Sequence, residues 1–510
     1  MDGRISVVPT EPGAFVGAKP LDAAAVSEPP ASLPERRDAR GIREHAGSVL
    51  LLLTAGLFTF NVLLHYPGVM SNDAVNQYAE AISGKYTDWH PPVMAWLWSL
   101  LRLAGEGPAP FLLLHLAAYW TGFGLLADGM RRRGHPRIAF AIALSGAFPP
   151  FLFLNGTIMK DVGMAASWIA AAGVIFWFRA QQRRIPVLCG VLVAALVLYG
   201  ALVRSNAVFG LGPLLVYALA RPAWLRNSRL IAATVFVAAL AIPVAQQLNR
   251  VLFHPAPKDG HHALFLFDLI GIAAHEGNPS LAAPRAMLNA AQLRACYTPY
   301  WWDSFSPWGR CGALVNRPDT DHATWGEGLS SQWAKTVAEH PLAYASHRLK
   351  HFNSELLFAV PLKHVRLTPE YRADDPAFKP IEVFSESSLR FDLVRKNPLF
   401  WPATWLAWGA FLLALVGRQS PTPPVVLARV LVVSALGYSS AYLVIGIATD
   451  MRYYFWPIMA VIAATLLALP LLADGWRSRS ATLIGGLAAV GAVMAIGVAA
   501  RLLDFQRWVS

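Results

Sequence analysis

The chain has 510 residues, 55% of them apolar and only 15% charged, with a formal net charge of +12. With a positive mean hydropathy, this composition excludes an ordinary soluble globular protein and reads as a polytopic membrane protein. The excess of Arg and Lys needs no nucleic-acid partner, because membrane orientation and anionic lipid account for most of it.

The first residues, 1–43, are rich in Ala, Pro, Glu and Arg and lack the short apolar region and small-residue cleavage site of a secretory signal. They read as a disordered, uncleaved tail. Arg36, Arg37, Arg40 and Arg43 precede the first apolar run, which by the positive-inside rule holds the N-terminus in the cytoplasm. Stretches long enough to cross about 30 Å of hydrocarbon follow at 48–66, 109–128, 137–153, 162–178, 186–203, 207–220, 229–248, 399–416, 424–447, 453–473 and 481–503. In that topology the cytoplasmic connections are "GMRRRGHPR", "RAQQRR", "RPAWLRNSR", "GRQSPTPP" and "DGWRSRS". All five are basic, as the rule requires.

The stretch 91–105, "PPVMAWLWSLLRLAG", is only about 22 Å long as a helix, too short to span. It reads as a helix lying in the outer interface, with Trp96 and Trp98 at headgroup depth. Residues 249–398 contain no span-length apolar run and read as an extracytoplasmic domain, with a helix interrupted near Pro341. The expected fold class is an all-α polytopic membrane protein of about eleven transmembrane helices with a mixed, mostly helical extracytoplasmic domain. Its parts are the tail 1–43, a transmembrane module 44–248 whose first outer loop is 67–105, the domain 249–398, and a second transmembrane module 399–510.

Cys189 falls inside a predicted span, where a small apolar side chain packs well. Cys296 and Cys311 both fall in the large outer domain, where an oxidising compartment lets them pair. Two buried free thiols are the alternative.

The polar residues that interrupt the apolar pattern fall on one side of this topology. They are Asp73, Asp88 and His90 in the first loop, Lys160 and Asp161, Arg204 and Asn206, and Asp450 and Arg452. Ionisable groups at that depth are costly and are commonly retained for function, so together they suggest one site at the outer surface. Each also has a plain structural reading: Asp73 as part of a helix start, Asp161 as partner of Lys160, and the two arginines as snorkelling anchors. Asp73, Gln77 and Glu80 recur at i, i+4 and i+7, with Ala74, Tyr78 and Ala81 on the other face, which predicts an amphipathic interfacial helix with its polar stripe toward a cavity. Asp268, an acid in the apolar run "FLFDLIGIA", either caps a helix or lines the site.

The stretch "DAVNQYAEAISGKYTDWHPPVMAWLW" resembles the first outer loop of GT-C superfamily membrane glycosyltransferases, in the branch of the protein O-mannosyltransferases and lipid A aminoarabinose transferases. The matching residues are Asp73, Tyr78, Ala79, Asp88, Pro91 and Pro92, and Asp161 stands where that branch tends to carry a second Asp. Ala74 stands where the mannosyltransferases usually have Glu, and His90 where related enzymes often have Lys. More similar still are uncharacterised bacterial multi-pass proteins with "Asp, Gln-Tyr, His-Pro" and "Lys-Asp" signatures.

The resemblance implies transfer of a sugar from a polyprenyl-phosphate carrier to a glycan, lipid or protein acceptor at the outer face of a bacterial cytoplasmic membrane. Asp73 would be the base, with Asp161 and His90 orienting it or the acceptor. Arg204, Arg452 and Lys160 would meet the phosphate charge, and Asn206, Gln77, Tyr78, Asp88 and Asp268 would complete the substrate-binding set. A divalent metal is left open, with Asp73, Asp88 and His90 as its ligand set. The rival classes are a secondary transporter, which would carry its ionisable groups near the bilayer midplane, and a non-catalytic envelope-assembly protein.

Overall fold

A computed structural model describes residues 33–220, 226–258, 260–282, 288–306, 309–315, 328–361 and 396–504, with backbone alone for 33–44. The chain divides into two compact units, Met1–Ala46 and Gly47–Ser510. In the first unit, residues 1–32 of the expected tail lie outside the described residues, while the chain is helical from Leu33 onward in a helix that ends at His65. The disordered tail expected over 1–43 is therefore corrected for its last part. Pro34 suits a first helical turn, and the Glu and Arg residues after it are good helix formers.

The second unit is almost wholly helical. Each of the eleven apolar stretches falls largely on helix, but among the described residues only six helices are long and apolar enough to cross a membrane, or nine if bent pairs count as single spans. The difference from eleven lies in particular elements. The stretches 186–203 and 207–220 form Val187–Val203 and Ser205–Leu219, bent by 119° at Arg204, and Pro402–Gly417 has only 16 residues.

The helix Lys160–Ala180 is the axis of this unit, buried along almost its whole length. It packs closely on Ala109–Arg132 because glycines face each other: a Cβ at Gly122 would meet the Ile169 carbonyl carbon at 2.7 Å, and one at Gly173 would meet the Gly122 oxygen at 2.7 Å. Such small-residue contacts let helix backbones approach where no hydrophobic drive separates helix from lipid. By contrast, Asn227–Phe253 has few buried residues, leaving apolar side chains outward as a hydrocarbon solvent permits.

Short backbone pairings tie separate loops together. Strand β1 (Val69–Met70) pairs parallel with β2 (Thr157–Ile158), in the register Val69↔Thr157 and Met70↔Ile158. Both strands run the same way, so the helices that follow them, Asn72–Ser83 and Lys160–Ala180, start side by side. Elsewhere Trp301 bridges antiparallel to Ala448, flanked by bonds from Trp302 N–H to Ile447 O (2.8 Å) and from Thr449 N–H to Tyr300 O (2.8 Å). This second pairing holds the chain immediately before Asp450 and Arg452.

In the 249–398 segment the described helices are His262–Glu276, Ala290–Cys296, Gly312–Val315, Leu329–Glu339 and Pro341–Glu355. The break at Pro341 falls where the sequence indicates it. A disulfide joins Cys296 and Cys311, with a Cα–Cα distance of 6.0 Å, beside a small apolar cluster that includes Leu266, Ile270 and Phe305. The short helix Val93–Leu101 lies within the first outer loop, 67–105, and one detail of its reading is corrected. Trp96 is exposed, but Trp98 is fully buried and donates its indole N–H to Gly107 O at 3.0 Å, which satisfies its polar tip inside the protein.

Candidate functional site

Asp73 lies in the first turn of Asn72–Ser83, two positions beyond the N-cap Ser71, whose side chain accepts from Ala74 N–H at 3.3 Å. The capping role thus belongs to Ser71, and the Asp73 carboxylate is left for other partners. Arg452 Nη1 donates to its Oδ2 at 3.2 Å, Lys160 Nζ is 3.8 Å from the same oxygen, and His90 Nε2 is 3.7 Å from Oδ1. Burial alone would raise the Asp73 carboxyl, but Lys160, Arg452 and His90 outweigh it and hold the group well below the usual carboxylate range.

Lys160 Nζ is 2.7 Å from His90 Nδ1. An ammonium only donates, so Nδ1 accepts and the ring proton is assigned to Nε2, on the side of Asp73. Burial, seconded by the Lys160 charge, pushes His90 down to about 3, against the pull of Asp73, so the imidazole is neutral. Its Nε2–H has no hydrogen-bond acceptor among the described residues and stops short of Asp73.

Asp161 is buried behind this group. Arg204 Nη1 donates to its Oδ2 at 3.0 Å, and Arg452 Nε lies 4.0 Å from the same atom. The bend at residue 204 interrupts the helix there, so Arg204 leaves the backbone in an extended conformation (φ −139°). Its guanidinium also donates to Asn206 Oδ1 (3.0 Å) and the Tyr442 hydroxyl (3.2 Å) and covers the Tyr453 ring at 4.5 Å. Arg452 is held in turn by Asp450, whose Oδ1 accepts from the Arg452 backbone N–H at 3.0 Å and whose Oδ2 forms an ion pair with Nε at 3.0 Å.

The site therefore interleaves three cations with three carboxylates and a neutral imidazole, drawn from four separate parts of the chain. Asp73 is its most open member, with a side-chain exposure of 31% against 1% for Asp161. An incoming anion would compete with Asp73 for Arg452 and Lys160, whose donors are oriented before it arrives.

Of the residues expected at the site, Asp73, His90, Lys160, Asp161, Arg204, Asn206 and Arg452 come together, and four do not. Gln77 donates to the backbone oxygen of Asp73 at 3.1 Å, bracing the helix. Glu80 accepts from Thr87 N–H and Oγ at 3.0 and 2.6 Å, so the polar stripe reaches the cluster only through Asp73. The Tyr78 hydroxyl donates to Glu106 and accepts from Gly107 N–H, both at 2.8 Å. Asp88 accepts from Lys258 N–H at 2.5 Å, joining the first loop to the segment after Asn227–Phe253. Asp268 is buried in the 249–398 segment, 2.6 Å from Arg348 Nη2 and accepting from Trp333 at 2.8 Å.

Because Asp88 faces away, Asp73, Asp88 and His90 do not converge as a metal site. Among the described residues no three His, Cys, Asp or Glu side chains do, and a divalent ion would meet three cations already in place around Asp73.

Sequence reasoning assigned no role to Tyr442, Tyr453 or Glu355. The two tyrosines stack with ring centroids 5.2 Å apart beneath Arg204, and their only sequence signal is position at the ends of apolar stretches. Glu355 pairs with His351 at i, i+4, Oε1 to Nε2 at 3.1 Å, and its Oε2 lies 3.4 Å from the Tyr454 hydroxyl. His351 Nδ1 faces Pro299 O at 2.7 Å, a pure acceptor, so Nδ1 bears hydrogen. Burial raises Glu355 well above its usual range and pushes His351 down to about 3, so the shared proton rests on Glu355.

Searches against protein-family models, curated proteins and solved structures gave no match for this chain.

Proposed function

We propose that the chain is a membrane glycosyltransferase that moves a sugar, with inversion, from a polyprenyl-phosphate-linked donor to an envelope acceptor on the outer face of a bacterial cytoplasmic membrane. The N-terminus is cytoplasmic in this reading, as the arginine distribution favours. The observation that carries it is the half-open Asp73 carboxylate, ringed by Lys160, Arg452 and His90 at the ends of apolar helices. A lipid-linked phosphate presents its charge at that depth and its tail to the hydrocarbon. The charges lie at helix ends and at the Arg204 bend, whereas a transporter would carry them near the midplane.

While Lys160, Arg452 and His90 face it, Asp73 is too strongly held to be an effective base. Donor phosphate draws Arg452 and Lys160 toward itself, and the Asp73 carboxylate regains basicity. The acceptor hydroxyl then gives its proton to Asp73 as its oxygen attacks the anomeric carbon. The bond from that carbon to the phosphate oxygen breaks, and its electron pair leaves with the polyprenyl phosphate, whose charge Arg452 and Lys160 meet. Arg204 and Asp161 hold Arg452 in position, and His90, kept neutral beside Lys160, orients the acceptor.

The test compares cell-envelope glycans by mass spectrometry in strains carrying the gene, lacking it, or carrying Asp73→Asn. The reading expects a glycan lost in both altered strains while the variant protein remains folded in the membrane. Unchanged glycans on deletion reject the transferase, and normal transfer by Asp73→Asn rejects Asp73 as base.

A further inference from the structure

The axial helix has a second end. Lys160 begins it at the carboxylate cluster, and Ala180 closes it about 30 Å away, beside a cavity of about 320 Å³ lined by Arg179, Gln182, Arg183, Tyr217, Pro423 and Val426 among others. Tyr217 is fully buried, and its hydroxyl has no hydrogen-bond partner among the described residues. The Arg179 guanidinium covers the Tyr217 ring at 4.5 Å and donates through Nη2 to Ala220 O at 2.9 Å, but its Nη1 is likewise buried without an acceptor. A buried hydroxyl and a buried guanidinium N–H both lacking partners are costly, and the cavity they line is the evident place for the missing group.

The rim has the same character. Gln182 is held in the left-handed region (φ 57°), and Arg183 N–H folds back onto Phe178 O at 3.0 Å. Helix C-terminal turns of this kind ordinarily take glycine, whereas here a strained glutamine and an exposed arginine stand at the mouth. The helix Pro423–Ile445 starts at the opposite wall, bringing the positive end of its dipole to the cavity. Among the described residues no carboxylate lines the space.

We propose that this cavity binds a phosphate group, its anionic oxygens taken by Arg179 and Arg183 and the Tyr217 hydroxyl; the apolar part of a lipid phosphodiester would lie against Pro423 and Val426. The site is separate from the Asp73 cluster and independent of the sugar-transfer reading. A phosphodiester of an anionic lipid and free inorganic phosphate share this chemistry.

The test uses the full-length chain in detergent, with native mass spectrometry after addition of phosphatidylglycerol or phosphatidylcholine, and thermal unfolding with and without inorganic phosphate. Wild type should retain one phosphatidylglycerol in preference to phosphatidylcholine. Arg179→Gln and Arg183→Gln should each weaken retention by roughly tenfold, the scale of one charge-assisted hydrogen bond. Arg184→Gln, an equal change of charge at the neighbouring residue outside the lining set, should leave it unchanged. The exposed Arg183 variant keeps the test decisive if loss of half-buried Arg179 impairs folding. Stabilisation by inorganic phosphate that is lost in Arg183→Gln and kept in Arg184→Gln would support the site with free phosphate as its source. Equal weakening by the Arg183 and Arg184 variants would reduce the effect to diffuse surface charge and overturn the proposal, as would equal retention of the two lipids with no response to inorganic phosphate.

Discussion

The protein builds two constellations from nearly the same parts and uses them differently. Asp268 in the 249–398 segment is surrounded by Arg348, His347 and Trp333, as Asp73 is by Arg452, Lys160 and His90. Asp268 has no exposure, and Arg348, 3% exposed, also donates to Gly446 O at 2.6 Å. That set is closed, and its charges compensate one another in the interior. Asp73 is partly open, with a side-chain exposure of 31%. Residue type does not separate a closed set of ion pairs from an accessible one; remaining exposure does.

The widest separation between the two should appear in paired substitutions. Asp73→Asn should lower sugar transfer by about 10²- to 10⁴-fold, the range expected for loss of a general base, with little change in thermal unfolding. Arg348→Met should do the reverse, destabilising by about 3–5 kcal/mol because it strands a buried carboxylate. An Asp73 variant that unfolds, or an Arg348 variant of wild-type stability, would erase the distinction.

Next in size is the disulfide, which closes a loop with a sequence separation of 15. Replacing Cys296 and Cys311 with Ser should cost about 3 kcal/mol, read by thermal unfolding of the purified chain, and should leave the transfer chemistry of the remaining folded protein intact. Loss of transfer without loss of stability would tie that loop to the Asp73 cluster.

The smallest effect is acid sensitivity. Burial, against the pull of Asp268, lowers His347 from 6.5 to about 4, so between those values the unfolded chain binds a proton that the folded chain refuses. Stability therefore falls as pH drops through that window, by up to about 1.4 kcal/mol per pH unit. The His351–Glu355 pair holds one proton folded and, for most of the window, one proton unfolded, so it contributes little slope there. Unfolding midpoints from pH 7 to pH 4.5 should decline less steeply in His347→Gln than in wild type; parallel declines would show that His347 takes up its proton without unfolding.

The sequence made the apolar architecture legible because hydropathy is summed over many residues, and each of the eleven stretches falls largely on helix. The number of crossings was less legible, since the 119° bend at Arg204 and the short Pro402–Gly417 depend on packing. Asp73, Asp161, Arg204 and Arg452 could be grouped because topology put them on one side. Asp88 and Gln77 could not be separated from them, because a carboxylate taken by Lys258 N–H and an amide taken by a backbone oxygen look the same in sequence as ones that face a substrate. Tyr442, Tyr453 and Glu355 carry no periodic signal. Strands β1 and β2, which set the relative position of Asp73 and Lys160, have two residues each, below any propensity window.

That small parallel pair also bears on biogenesis. It joins residues that leave the ribosome almost ninety positions apart, and Arg452 follows Asp73 by 379. A nascent chain halted before the final helices can hold the first loop against the axial helix, yet its carboxylate lacks the guanidinium that anchors it. The constellation is completed only once Arg452 has been made, so products cut off before that residue can occupy the membrane without presenting an assembled site.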